Sequence, residues 1–195
     1  MVKKVLEYIS NLWYSVFRID HEGGGVIMEG IFDARALACY ISDKYKEFSK
    51  GNCISSIKLQ KSLYFLLAFW GGFIRRGINS ISELDVSNIN DVLYSNEIQA
   101  WTYGPVVVDV FHAQKDGTLK DYRINLDSIF NEIPMLKDTI DSLLSDIFKI
   151  GDFKLVSTSH EDLAWKNHFD PDEFIHNEVI TQEEIIQEYA LKNEI

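Results

Sequence analysis

The sequence predicts a mostly α-helical fold: a single compact domain around one central buried helix, with at most a small β-hairpin and with a helical extension at the N-terminus. Apolar residues recur every three or four positions in several segments, which is the helical repeat. The segment over residues 56–73 is apolar on nearly every side, so we expect it inside the domain. Residues 98–103 alternate bulky and small side chains, as a β-strand does.

The size of the chain favours one domain. Its 195 residues, 46% of them apolar, are enough to bury a sizeable core. Three consecutive glycines at residues 23–25 form a flexible joint after the first segment. We therefore divide the chain into an extension, residues 1–30, and a helical domain, residues 31–195.

The extension is predicted to contain an amphipathic helix over residues 2–18. Leu6, Ile9, Trp13 and Phe17 lie on its apolar face. Such a face is buried either against the chain's own domain or in the groove of a partner protein. The second alternative makes these four residues candidates for partner binding.

The first helices of the domain follow from a cap and from composition. Asp33 is a typical N-cap for a helix over residues 34–48. We place the end of the central helix near Gly71 and Gly72, because glycine accepts the left-handed conformation that closes a last turn. Residues 74–90 are predicted to form a loop.

The middle of the chain contains the predicted strand and its turn. Residues 98–103 are followed by Gly104 and Pro105, which we assign to a turn. Pro105 suits the first position of a helix, where no N–H is needed, and that helix is predicted to end at Gln114. A second short strand is predicted over residues 121–125.

Two longer helices are predicted in the last third of the chain. Pro134 opens the first of them, and Gly151 ends it. Thr181 and Glu184 form a capping box at the start of the last helix.

The segment between these two helices is less regular. Residues 153–158 fit a short helix and an extended segment equally well, and the sequence leaves this choice open. Ser159 is predicted to cap a short helix over residues 160–166, which Trp165 anchors in the core.

The charge of the chain bears on its partners and its compartment. The net charge is −11, and residues 152–195 carry −8 of it. Because phosphates need a positive field, we expect neither nucleic acid nor membrane as a partner. Two cysteines without a pairing pattern, and a start of the chain interrupted by charged residues, predict a cytoplasmic protein.

The sequence contains no recognisable catalytic or metal-binding motif. Its histidines and cysteines form no HExxH or CxxC pattern, and GxSxG and phosphate-loop motifs are absent. We therefore expect a binding protein rather than an enzyme, with no cofactor and no metal. His160 beside Glu161 and Asp162 fits either the general base of a hydrolase or, as we favour, a residue joining two elements through hydrogen bonds.

Four short motifs occur in a fixed order along the domain. They are Lys58-Leu59-Gln60-Lys61 with Leu63-Tyr64-Phe65; Ile98 with Ala100-Trp101-Thr102-Tyr103-Gly104-Pro105-Val106-Val107; Val110-Phe111-His112; and Leu155 with Thr158-Ser159-His160 and Trp165. Taken together, over roughly residues 33–190, these motifs resemble the Panacea domain, the SocA-like antitoxin family, which has many phage-associated members.

The resemblance implies a small, mostly helical protein without enzymatic activity. Members of this family bind and neutralise toxins, usually encoded by a neighbouring gene, and the founding member presents its toxin to the ClpXP protease. The implied function is therefore that of an antitoxin in a toxin–antitoxin system. Its implied partners are a cognate toxin and, for delivery to proteolysis, a ClpXP-type protease.

The motif residues have two interpretations. Trp101 and Tyr103 can be core residues, in which case the motif is a folding signature. In the other interpretation, a shared groove binds the partner, and it is lined by Gln60, Lys61, Trp101, Tyr103 and His112. The acidic charge also supports an alternative function, a phage-encoded inhibitor that occupies the nucleic-acid groove of a host defence or nucleic-acid-binding protein.

Overall fold

A computed structural model describes residues 30–80, 90–132, 134–173 and 176–192. The predicted helix of the extension, with Leu6, Ile9, Trp13 and Phe17, lies outside the described residues. Within them the fold is mostly α-helical with a small antiparallel sheet, which confirms the predicted class. None of the described helices is long and apolar enough to span a membrane.

The described elements of the domain are helices, one 3-10 turn and three short strands. In chain order they are α1 (Ala34–Phe48), α2 (Ser56–Ser80), β1 (Ile98–Trp101), β2 (Gly104–Val107), α3 (Val108–Lys115), a 3-10 turn (Leu119–Tyr122), α4 (Asp127–Glu132), α5 (Pro134–Lys149), α6 (Asp152–Ser159), α7 (Leu163–Lys166), β3 (Val179–Ile180) and α8 (Gln182–Leu191).

Helix α2 is the centre of the domain, as the sequence predicts. Leu59, Leu63 and Leu66 are fully buried, and Trp70 is 2% exposed. Helices α1, α5, α6 and α8 and strand β2 all pack against α2, and their apolar side chains join it in one core. Fully burying a large apolar side chain stabilises a fold by roughly 1.5–3 kcal/mol, so α2 contributes a large share of the total.

The prediction that Gly71 and Gly72 end the central helix is wrong. The helix continues through them to Ser80, so residues 74–80 are helical rather than loop. A Cβ atom on Gly71 would overlap the side chain of Ile186, and one on Gly72 would lie 2.7 Å from the backbone carbon of Tyr189. Glycine at these two positions thus allows α8 to pack closely against α2. This requirement arises from tertiary packing, so the local sequence does not reveal it.

The caps of the first and last helices are confirmed. The Asp33 carboxylate accepts a hydrogen bond from the backbone N–H of Arg35 at 2.7 Å, and α1 has the predicted bounds. Thr181 and Glu184 form the predicted capping box at the start of α8.

The sheet has one strand more than the predicted hairpin. β1 lies within the predicted strand over residues 98–103, whereas β2 covers residues predicted to form a turn and the start of a helix. β3 pairs with the other side of β1, in the order β2-β1-β3. β3 has two residues, which is too short to produce an alternating pattern.

Pro105 does not open a helix. It lies in β2 opposite Ala100, and α3 begins at Val108. β2 is an edge strand, and the Pro105 carbonyl points away from β1 toward α2. The nitrogen of Pro105 faces the same way, so the ladder loses no hydrogen bond and the strand tolerates a proline.

Two further predictions between the helices are wrong, and one open choice is settled. Residues 121–125 form the end of a 3-10 turn and an irregular stretch, not a strand, since the Asp121 N–H donates locally to Thr118. Ser159 lies inside α6 and does not cap a helix; Asp162 occupies the N-cap position of α7. Residues 153–158 are helical.

Candidate functional site: a cleft between the central helix and the hairpin

A cleft of about 390 Å³ lies between the start of α2 and the β1–β2 hairpin. Ile57, Gln60 and Lys61 of α2 form one side of it. Trp101 and Tyr103 of the hairpin and Phe111 of α3 form much of the rest. Apolar and aromatic groups therefore dominate the lining, as in most ligand-binding sites.

Four of the five groove residues predicted from the domain's sequence line this cleft. They are Gln60, Lys61, Trp101 and Tyr103. His112 does not line it; its exposed side chain contacts the ring of Phe111, with ring centroids 5.6 Å apart. The four predicted residues of the extension lie outside the described part of the chain.

Gln60 is buried, and its side chain forms hydrogen bonds to the backbone of the hairpin. Its Oε1 accepts from the N–H of Val107 at 2.8 Å, and its Nε2 donates to the carbonyl of the same residue at 3.4 Å. The side-chain amide thus satisfies the outward-facing backbone groups of an edge strand. Because Gln60 is 3% exposed, its role is to hold β2 against α2 rather than to contact a partner.

Lys61 is the most deeply buried ionisable group at the cleft, at 1% exposure. Its Nζ donates to the carbonyl of Pro105 at 2.8 Å. An ammonium group carries three N–H donors, so two remain without a hydrogen-bond partner among the residues described. Burial lowers the pKa of Lys61 from its usual 10.5 to about 7.

Gly104 brings the hairpin turn directly onto Lys61. Its φ angle is +89°, a backbone conformation that favours glycine. A Cβ atom on Gly104 would lie 2.5 Å from the hydroxyl oxygen of Ser159 and 2.7 Å from Nζ of Lys61. The start of β2, which the sequence predicts to be a turn, therefore packs on two buried polar groups.

The buried lysine predicts an unusual dependence of stability on pH. The folded-state pKa of Lys61 is depressed, so between pH 7 and its unfolded value the unfolded chain binds more protons than the folded one. We therefore expect the free energy of unfolding to rise between pH 7 and 8.5, with a slope approaching about 1 kcal/mol per pH unit. Urea unfolding at a series of pH values measures it.

Two other groups near this window have shifted pKa values in the fold, and both shifts move their titration away from it. Burial lowers the pKa of His160 below its usual 6.5, and burial raises the pKa of Cys39 above its usual 9.0. The control is Lys149→Met, which removes a lysine whose side chain is 60% exposed and should keep the slope. In Lys61→Met the slope should vanish; a flat profile in the unmodified protein would contradict the expectation.

Trp101 joins the hairpin to its surroundings. Its ring meets Phe111 edge-on at 4.7 Å, and its indole N–H donates to the side chain of Gln99 at 2.9 Å. Its carbonyl accepts from the indole N–H of Trp165 at 3.1 Å. Trp165 thus anchors α7 as predicted, and it does so on the strand that lines the cleft.

His160 joins elements by stacking rather than by hydrogen bonds. Its ring stacks on the ring of Trp165, with the ring centroids 3.9 Å apart. The ring of Phe169 also stacks on Trp165, with the ring centroids 4.4 Å apart. The Nε2 atom of His160 is buried and has no hydrogen-bond partner within the described residues. The hydrogen-bonding role that we favoured is therefore not found there.

Asp162 is a buried residue whose role the sequence analysis missed. Its carboxylate accepts from the hydroxyl groups of Tyr64 at 2.7 Å and Tyr189 at 3.0 Å, and from Nζ of Lys192 at 2.6 Å. It thereby links α2, α7 and the end of α8. The available signal is Tyr64, a polar tip in an otherwise apolar helix face, which needs a buried partner.

These features define a compact helical domain with an apolar cleft between its central helix and its hairpin. Comparison of the chain with protein-family models, with curated proteins and with solved structures finds no match. Among the residues that the structure describes, no group of three or more His, Cys, Asp or Glu side chains is placed to hold a metal ion. The family resemblance therefore depends on the motif residues themselves.

Proposed function

We propose that this protein is an antitoxin that neutralises a cognate toxin by binding it directly. The observation that carries the proposal is the convergence of the motifs. Residues from the first three of them, far apart in the chain, line one cleft, and Trp165 of the fourth bonds to its wall. A folding signature alone would not require an exposed aromatic residue, yet Tyr103 at the hairpin turn is 58% exposed.

Tyr103 is the residue best suited to touch the partner. Exposed aromatic side chains dominate the binding energy of many interfaces, because they bury a large area at low entropic cost. Gln60 and Lys61 lie beneath the surface and hold the hairpin that presents Tyr103. The toxin from a neighbouring gene is the proposed partner, and a ClpXP-type protease is a second partner if neutralisation proceeds by delivery.

The test is co-expression of the neighbouring gene product with this protein. We expect the neighbour alone to stop growth, and co-expression to restore growth with a complex that co-purifies. Tyr103→Ala should weaken the complex at least about tenfold, since truncating a central aromatic residue costs about 2 kcal/mol or more. Phe153→Ala is the matched control, because Phe153 is 72% exposed on α6 and does not line the cleft.

The outcomes test the antitoxin function and the proposed binding surface separately. A neighbour that is harmless, or toxic without rescue, contradicts the antitoxin function. Rescue that Tyr103→Ala leaves intact contradicts the binding surface alone. The toxin's half-life in cells with and without ClpXP then distinguishes blocking from delivery, since blocking leaves the half-life unchanged.

The extension offers a second place for partner choice. Deletion of residues 1–27 should leave the domain folded and abolish neutralisation, because an amphipathic helix on a glycine joint can lie in a partner's groove. Circular dichroism checks folding, and the growth assay checks function. Full neutralisation by the shortened chain would restrict the interface to the described domain.

A second candidate function has its own supporting observation. Seven exposed acidic side chains lie between residues 161 and 184. Such a surface suits an inhibitor that occupies the nucleic-acid groove of a host defence protein, by mimicking phosphate charge. Steep loss of partner affinity with added salt would favour this function, and salt-insensitive binding would favour the antitoxin.

A further inference from the structure

Lys61 is a buried base without an opposing charge among the described residues. Burial is the cause that lowers its pKa, and no carboxylate acts on it. Two acids of the segment that contains α6 and α7 have other partners. Asp152 pairs with Lys58 at 3.1 Å, and the Asp162 carboxylate accepts from two tyrosines and a lysine.

The groups described around Lys61 are basic or neutral, so none of them supplies a negative charge. His160, the titratable neighbour after α6, is itself a base, and the protonated lysine lowers the pKa of that histidine further. Ser159 and Pro105 contribute neutral oxygens. Of the residues that the structure describes, the cleft lining also contains His176 and no acidic residue, in a chain whose net charge is −11.

The cleft has the size and the walls of a small-molecule site. Its volume of about 390 Å³ falls within the range of about 300–1,000 Å³ that such sites span. Ile57, Val106 and Phe111 supply apolar surface, and Trp101 supplies an aromatic edge. A ligand that fits these walls and also uses Lys61 needs an apolar body and one negative group.

We propose that the cleft binds a small apolar carboxylic acid, whose carboxylate pairs with Lys61. A carboxylate next to Nζ replaces the missing counter-charge and accepts the ammonium donors that Pro105 leaves unused. The apolar body of the ligand buries the aromatic walls. This inference does not rest on the proposed function, since the site would exist in a protein that binds no toxin.

The test compares two probes of nearly the same size and shape, the charged 3-phenylpropanoate and the neutral 3-phenylpropanamide, titrated into the full-length protein. We expect the acid to bind at least about tenfold more tightly than the amide, because the neutral amide cannot form an ion pair with an ammonium group. NMR signals of the indole N–H groups locate the site. The signal of Trp101 should shift, whereas that of Trp70, which donates to the Asn90 carbonyl away from the cleft, should not.

A variant strengthens the test without being required for it. In Lys61→Met the preference for the acid should disappear, and circular dichroism checks that the variant folds. Should the variant unfold, the comparison of the two probes in the unmodified protein still decides the outcome. Equal binding of acid and amide, no binding of either, or a shift of Trp70 without Trp101 would each overturn the proposal.

Discussion

Replacing Asp162 with alanine should destabilise the protein by about 3–5 kcal/mol, since it leaves buried donors without their acceptor. The Asp162 carboxylate is 2% exposed in the fold and accepts from Tyr64, Tyr189 and Lys192. Burial and the nearby Asp162 charge raise the pKa of both tyrosines well above the usual 10, so their hydroxyls stay protonated donors at neutral pH. Urea unfolding monitored by circular dichroism measures the loss.

The adjacent residue provides the control. Glu161 is exposed, and Glu161→Ala should change stability by less than about 0.5 kcal/mol. A double-mutant cycle that combines Asp162→Ala with Tyr189→Phe isolates the hydrogen bond between these two residues. Once Asp162 is replaced, removing the Tyr189 hydroxyl no longer breaks that bond, so the two changes should not be additive. If Asp162→Ala cost less than 1 kcal/mol, or if the two changes were additive, the network would not hold α8 in place.

Gly104→Ala should cost about 2–4 kcal/mol of stability, because a strained backbone and a steric clash add up. The φ angle of +89° disfavours any residue with a Cβ atom. That Cβ would also lie 2.5 Å from Ser159 Oγ and 2.7 Å from Lys61 Nζ, which are held by their own hydrogen bonds. The thermal midpoint and urea unfolding measure the effect.

The variant Gly117→Ala separates the cost of backbone strain from the cost of the steric clash. Gly117 also has a positive φ, +72°, but a Cβ there meets nothing within 4 Å. It should therefore cost only the backbone strain of about 1–2 kcal/mol. Equal losses at Gly104 and Gly117 would show that the hairpin turn can move away from Lys61, contrary to the tight packing described for the cleft.

The part of the fold that sequence alone predicts is the part governed by local chemistry. The caps at Asp33 and Thr181 form within four residues, so their side chains and spacing are sufficient evidence. The apolar periodicity of α2 likewise identifies the buried helix. The predictions at Gly71 and Pro105 are wrong because each residue type fits two structures. Glycine either ends a helix or allows a close helix contact, and proline either begins a helix or lies in an edge strand. The element that packs beside the residue decides between them.

The candidate site divides in the same way. The motif identifies Gln60, Lys61, Trp101 and Tyr103 as a group, and the cleft brings them together. The sequence does not reveal that the first two are buried and bond to the backbone of β2. Burial and backbone partners arise only when α2 meets the hairpin. The sequence does not reveal the structural role of Asp162, because its three donors come from two other elements.

The packing of α8 against the two glycines of α2 has a consequence for the order of events during synthesis. α2 leaves the ribosome early, whereas α8 is the last described element to emerge. Until residues 182–191 are made, the surface around Gly71 and Gly72 lacks the Ile186 and Tyr189 side chains that cover it. Part of the most apolar helix of the described domain therefore stays uncovered until the last described helix has been made.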